Sequence, residues 1–236
     1  MSPKTSSETV DLVLSSFPKE EQMLIEWHLE LVIQANKTHN LTRITSPDDA
    51  LILHIEDSLT ALQELKNAPD GAYADLGTGG GFPGIPLAIT THRKTLLVDS
   101  VKKKAAVLSQ IIDDLELSSG VSVYSGRIEE LALDHPEHFA VLTARALSSL
   151  PSLLELAAPL LKEGGHLVCY KANIENSEKQ HAISLEHKLG LRLLSEREIS
   201  LSNNYGHRQI LVFEKYKNPE ISLPRRIGIA QKRPLS

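Results

Sequence analysis

The run Tyr73-Ala-Asp-Leu-Gly-Thr-Gly-Gly-Gly-Phe-Pro-Gly-Ile-Pro86 constrains this chain more than any other stretch. A short apolar strand leads into a hinge at Gly77, Gly79 and Gly81, and an apolar helix follows. Without Cβ atoms there, the backbone can take positive φ and a flat ligand can press against the main chain. In a plain connecting turn, so many glycines would only destabilise.

Two cofactor classes use such a turn. A dinucleotide fold needs Gly-x-Gly-x-x-Gly ahead of a helix whose N-terminus holds a pyrophosphate, and Gly79, Gly81 and Gly84 meet that pattern. A fold for S-adenosylmethionine (AdoMet) carries an acid two residues before the glycines, and Asp75, Gly77, Gly79 and Gly81 meet that one. A carboxylate at the hinge repels a pyrophosphate and suits a cationic methionine end. Phe82 and Pro83 put bulk where a dinucleotide would approach. Both arguments favour AdoMet.

The chain has 236 residues, which suits one main domain with an appendage. Its apolar fraction of 41% and charged fraction of 23% are those of a globular protein. No apolar run is long enough to span a bilayer and no leader pattern opens the chain, so a cytoplasmic location is expected. The single Cys169 fits a reducing compartment and excludes an internal disulfide framework. The net charge of −5 is unevenly distributed: residues 215–236 hold +5 and the remainder −10. Such an end-loaded balance reads either as a basic arm for nucleic acid or as a solubilising tail.

Residues 1–70 contain no glycine and read as a helical extension. Leu24, Trp27 and Leu31 form one apolar stripe; Leu51, Ile55, Leu59 and Leu62 form another. Ser46-Pro47-Asp48-Asp49 reads as the start of the second helix. From residue 71 to 217, short β-rich runs alternate with helices, which predicts a parallel sheet covered on both faces. Residues 191–199 and 209–215 are joined by too short a connection for a crossover, so they form an antiparallel pair. The expectation is an α/β fold of the class I AdoMet-dependent methyltransferase type: Rossmann-like, mostly parallel, ending in an antiparallel hairpin. Residues 218–236 form the basic tail, expected to contact RNA and to leave cofactor binding largely untouched.

Asp99 ends the second strand, where an acid can accept both ribose hydroxyls; its alternative is a helix N-terminal carboxylate. Ile128 and Glu129 follow the third strand, placed either to touch adenine or to make the first turn of a helix. Arg145 follows the fourth strand and can hold a phosphate, a guanine edge or a site carboxylate, or form a structural salt bridge. Lys171 has the same choice after the fifth strand. Lys102, Lys103 and Lys104 read as a solvated helix face, with RNA contact as the alternative. His54 and Asp57 face the glycine turn or make a surface pair. His135 and His138 lack further ligands at metal spacing, so no metal is assigned.

Asn40-Leu41-Thr42, His54-Ile-Glu-Asp-Ser-Leu59, the Asp75 to Ala88 run, Arg127-Ile-Glu129, Ala144-Arg-Ala146 and Leu223-Pro-Arg-Arg-Ile-Gly228 with Lys232-Arg-Pro-Leu235 together resemble one family. It is the bacterial 16S ribosomal RNA guanine-N7 methyltransferase family, also called glucose-inhibited division protein B. The resemblance runs from about Leu24 to the C-terminus. It implies AdoMet-dependent methylation of one guanine N7 in 16S rRNA, presented as naked RNA or as the small ribosomal subunit. It also implies cofactor contacts at Gly77, Phe82, Ile128, Glu129 and Arg145. The chain departs from the family at Ala172, after Lys171, where glycine is usual.

Guanine N7 carries an in-plane lone pair and needs no proton removed before it attacks a methyl group. The chain agrees: it shows no Asn/Asp-Pro-Pro-aromatic loop after the fourth strand and no cysteine there. Catalysis is then positioning, with Arg145 as the residue expected to meet the base. An NAD(P)-dependent oxidoreductase and a non-catalytic AdoMet-binding protein remain the alternatives.

Overall fold

The computed structural model describes residues 13–44 and 46–236. Helix α1 (Lys19–His39) starts after Pro18, with Glu20 and Glu21 in its first turn, where carboxylates suit the helix dipole, and it ends at Asn40 in the left-handed conformation. Its buried face is Ile25, His28, Leu29 and Val32. That face lies one position beyond the expected stripe, and Trp27 is 44% exposed. The buried histidine hides the true face from a reading based on hydropathy.

The second helix, α2, begins at Pro47–Ala50, where the Asp49 N–H donates to Ser46 Oγ at 3.4 Å. It widens into a π-helical segment, Leu51–Glu56, and closes with Asp57–Leu59. The wider turn brings Ile52, His54, Ile55, Asp57 and Ser58 all to the inside. A short α3 (Leu62–Asn67) leads to the sheet.

The sheet alternates with helices in chain order: β1 (Tyr73–Leu76), α4 (Gly84–Thr91), β2 (Thr95–Asp99), α5 (Lys102–Asp114), β3 (Val121–Ser125), α6 (Ile128–Asp134), β4 (Phe139–Arg145), α7 (Leu150–Ala157), β5 (Leu161–Lys171), α8 (Asn176–Ser184), α9 (Glu186–Leu189), β6 (Leu191–Ser200) and β7 (His207–Lys215). The spatial order is β3-β2-β1-β4-β5-β7-β6. The first five strands are parallel, and β7 runs antiparallel to both β5 and β6. Order reverses between β1 and β4, which is where ligands bind in open α/β sheets.

The apolar strands β1 and β4 are buried along most of their length because helices cover both faces. On one face α1 and α2 pack with α4 and α5 through Leu29, Val32, Ile55, Ile85, Leu108 and Ile112. On the other, α6, α7 and α8 pack with Ile221, Leu223, Ala230 and Leu235 of the C-terminal segment, which includes the single turn α10 (Ile229–Lys232). Among the described residues, no helix is long and apolar enough to cross a membrane.

Candidate active site

The strand register explains the turn. Pairing of β1 with β4 sets Asp75 beside Thr143, whose hydroxyl donates to Asp75 Oδ1 at 2.6 Å. Asp75 Oδ2 accepts the Gly84 N–H at 3.0 Å, tethering the start of α4. The carboxylate is fully buried and lies beneath the turn, outside the cleft expected to hold the cofactor. Burial raises its pKa, although Thr143 and the Gly84 amide counter the rise. The expected contact of Asp75 with the methionine end is therefore replaced by an internal role, as anchor of strand to helix. A Cβ on Gly84 would lie 2.4 Å from Leu97 Cδ2 and 2.9 Å from Asp75 Oδ2, so this glycine serves close helix–strand packing.

Above the turn, the carboxyl ends of β1, β2 and β3 open into a cleft of about 220 Å³. Gly77, Gly79, Asp99, Ile128 and Glu129 line it together. Gly77 has φ +73°, and a Cβ there would meet Leu147 Cδ1 at 2.7 Å. Asp99 Oδ2 accepts the Gly79 N–H at 3.2 Å and Oδ1 accepts the Val101 N–H at 2.8 Å. Each oxygen keeps a lone pair for a ligand hydroxyl. Ile128 and Glu129 also form the first turn of α6, while lining the cleft. This donor and acceptor set fits an adenosine: a carboxylate at ribose distance from the hinge, apolar walls at Val98, Ile128 and Leu147, and bare backbone at the glycines.

Phe82 lies elsewhere. Its ring is buried between two histidines, stacked on His54 with centroids 4.3 Å apart and 7° between planes, and tilted against His28 at 4.3 Å. It locks the turn to the N-terminal helices and does not line the cleft. His28 Nε2 sits 2.9 Å from the Gly80 carbonyl, so Nε2 carries the proton, and Nδ1 is buried without a partner among the described residues. Burial lowers the His28 pKa to about 4 and, with Arg145 and His28 nearby, that of His54 to about 3.

A second cavity, about 650 Å³, opens beyond the ends of β4 and β5. Arg43, Arg145, Lys171 and Arg208 line it with His54 and Asp57. Arg145 donates to the Leu53 carbonyl at 2.8 Å and to Asp57 Oδ2 at 2.9 Å, so its structural salt bridge is present within the site itself. It lines this cavity and not the cleft. Lys171 donates to Ser148 O and Glu178 Oε1, both at 2.9 Å. The loop after β4 serves both spaces: Leu147 lines the cleft, while Ala146 and Ser148 line the second cavity.

Lys104 and Gln231 also line the cleft, and sequence reasoning assigned neither to it. Lys104 stands one helical turn after Val101 in α5, a signal that helical spacing from Asp99 carries. Gln231 arrives from the C-terminal segment, and nothing local to it announces the placement. His135 and His138 pack tilted against each other at 5.4 Å, and His138 meets Phe139 edge-on at 5.0 Å.

Comparisons agree with this geometry. A family profile described as "rRNA small subunit methyltransferase G" (GidB) matches residues 21–201. A ribosomal RNA small subunit methyltransferase G from Carboxydothermus hydrogenoformans is 37% identical over 223 residues, covering 93% of this chain and 94% of its own length. The one from Staphylococcus carnosus is 32% identical over 229 residues, covering 95% and 94%. Among solved structures, an O-methyltransferase from Bacillus cereus in complex with SAH superposes with a TM-score of 0.58 at 19% identity, covering 88% of this chain and 97% of that one. The [4+2]-cyclase SpnF superposes with a TM-score of 0.56 at 14% identity, covering 84% and 97%. The scaffold thus carries more than one chemistry, and the structural likeness speaks for fold alone. The sequence matches span nearly the whole chain, hinge and strand-end residues included: this chain belongs to the GidB family, rRNA small subunit methyltransferase G.

Proposed function

We propose that this chain methylates N7 of one guanine in 16S rRNA, with AdoMet held in the cleft of Gly77, Asp99, Ile128 and Glu129. The observation that carries the reading is the loop Ala146-Leu147-Ser148, which walls the adenosine cleft on one side and a cationic cavity on the other. Bound AdoMet supplies an electrophilic methyl group on a sulfonium. Asp99 would hold the ribose, Ile128 and Leu147 would supply apolar walls for the adenine ring, and the glycine backbone would receive the methionine end. Arg145, Arg208, Lys171 and Arg43 receive the RNA, whose phosphates need cations and whose guanine offers O6 as an acceptor. No residue needs to remove a proton, because N7 attacks through a free lone pair. The work of the chain is to align base and methyl group and to exclude water between them. Such an enzyme acts where ribosomal RNA is, in the cytoplasm.

Incubation with labelled AdoMet and 16S rRNA, and separately with small ribosomal subunits, followed by mapping of the modified nucleotide, tests this. The expected product is a single 7-methylguanine in one of the two substrates. Label on another base or atom, or none in either substrate, overturns it.

A further inference from the structure

The C-terminal segment, whose charge reads either as an arm for nucleic acid or as a solubilising tail, packs against the cleft. Arg225 donates from Nε and Nη2 to the two oxygens of the buried Glu155 on α7, both at 2.6 Å. Its Nη2 also reaches the Arg233 carbonyl at 2.8 Å, closing the segment on itself. Ser152 Oγ donates to the Ala230 carbonyl at 2.8 Å, and Ala230 is buried. His181 Nε2 contacts the Leu235 carbonyl at 2.6 Å. Between these anchors, the Gly228 N–H donates to Glu129 Oε1 at 2.6 Å, across the edge of the cleft.

This fixes what residue 231 faces. Gln231 is exposed, lines the cleft beside Arg127, Ile128 and Glu129, and its amide has no hydrogen-bond partner among the described residues. Ala230 before it and Arg233 after it are both tied through their carbonyls, so the side chain is presented rather than loose. A primary amide offers a donor and an acceptor in one plane, which matches the exocyclic amine and adjacent ring nitrogen of adenine. Glu129 alone serves that edge poorly, since one of its oxygens is already committed to Gly228.

We infer that the C-terminal segment is a wall of the cofactor site and that the Gln231 amide reads the amino edge of the adenine. The inference rests on the AdoMet reading of the cleft. It adds a binding residue from a segment over a hundred residues away from the hinge, and it makes the tail a part of cofactor recognition.

The test is calorimetry on the full chain with S-adenosylhomocysteine and with S-inosylhomocysteine, whose base carries oxygen in place of the amine. Wild type should prefer the adenosyl compound. Gln231→Ala should bind it about tenfold more weakly, with little change for the inosyl compound, so that the preference collapses. Because Gln231 is exposed, the variant should melt as wild type does. Trypsin cleavage after Arg226 should slow when S-adenosylhomocysteine is bound to wild type. Unchanged affinity in Gln231→Ala, equal weakening of both compounds, or cleavage indifferent to ligand would each overturn the inference. Failure of wild type to bind S-adenosylhomocysteine would instead sink the AdoMet reading itself.

Discussion

Asp57 holds two arginines at once: Oδ2 accepts from Arg145 at 2.9 Å and Oδ1 accepts from Arg208 at 2.8 Å, with the carboxylate 1% exposed. One acid of the N-terminal helices thereby joins the ends of β4 and β7. Removing it in Asp57→Ala leaves two guanidinium groups in a confined space without a counter-charge. The expected loss is about 3 kcal/mol, the low end for breaking a buried pair, because each arginine keeps some solvent access. Urea unfolding measures it, and a loss under about 1 kcal/mol would place the pair in the class of surface bridges.

Arg145→Lys isolates what the fork does. Lysine keeps the charge, but its single nitrogen cannot copy a planar guanidinium held by the Leu53 carbonyl and Asp57 together. Methyl transfer should fall by about tenfold or more, equivalent to roughly 1.4 kcal/mol in the barrier. Since Arg145 lines the cationic cavity and not the cleft, S-adenosylhomocysteine affinity should stay near that of wild type. A matched loss in both would return Arg145 to the cofactor side of the site.

Asp99→Ala should weaken S-adenosylhomocysteine by roughly 1 to 3 kcal/mol, the scale of hydrogen bonds to a charged group. Part of that comes from the turn, because Gly79 and Val101 lose their acceptor. NAD should bind neither protein. Calorimetry showing tight NAD binding by wild type would reopen the dinucleotide alternative.

Acid should unfold this protein early. His28 and His54 are neutral when folded, at about 4 and about 3, against 6.5 unfolded. The unfolded chain therefore binds more protons below pH 6.5, and stability is full above that value and lost as pH falls towards the folded values. By about pH 5 each histidine should have cost about 2 kcal/mol. His28→Gln preserves a donor for the Gly80 carbonyl and removes one titration, so its melting temperature should fall less between pH 7 and pH 5. An identical acid slope would contradict this account.

Much of this architecture is legible from residues alone, for identifiable reasons. β1 and the centre of β7 are apolar runs, and the connection between β6 and β7 is too short for a crossover, so strand type and antiparallel pairing can be read even though β6 is largely polar and exposed. The buried face of α1 is displaced because His28 is core, and the π-helical segment of α2 breaks the regular spacing that would assign its inward residues. Asp75 shows a different limit. Spacing places an acid at a strand end, but only the register with Thr143 decides that it points beneath the turn. Phe82 sits in a motif that signals a cofactor, yet its ring faces His28 and His54. Gln231 depends on long-range packing of the segment that carries it.

Arg226, Lys232 and Arg233 leave their side chains exposed on the C-terminal segment, without side-chain partners among the described residues. Replacing all three with alanine should reduce the steepness of the salt dependence of RNA binding by about 0.7 to 0.9 for each phosphate no longer neutralised. S-adenosylhomocysteine affinity should be retained. Filter binding across a salt series measures the slope, and an unchanged one would take these charges out of the RNA interface.

The uneven charge of the chain looks different to a partner than it does in a count. Residues 215–236 hold six cations against one acid, yet Lys215 is bound to Glu137, Lys217 to Glu220 and Arg225 to Glu155. Half of those cations are engaged within the protein, so what an RNA phosphate can meet on this segment is Arg226, Lys232 and Arg233, each of them exposed.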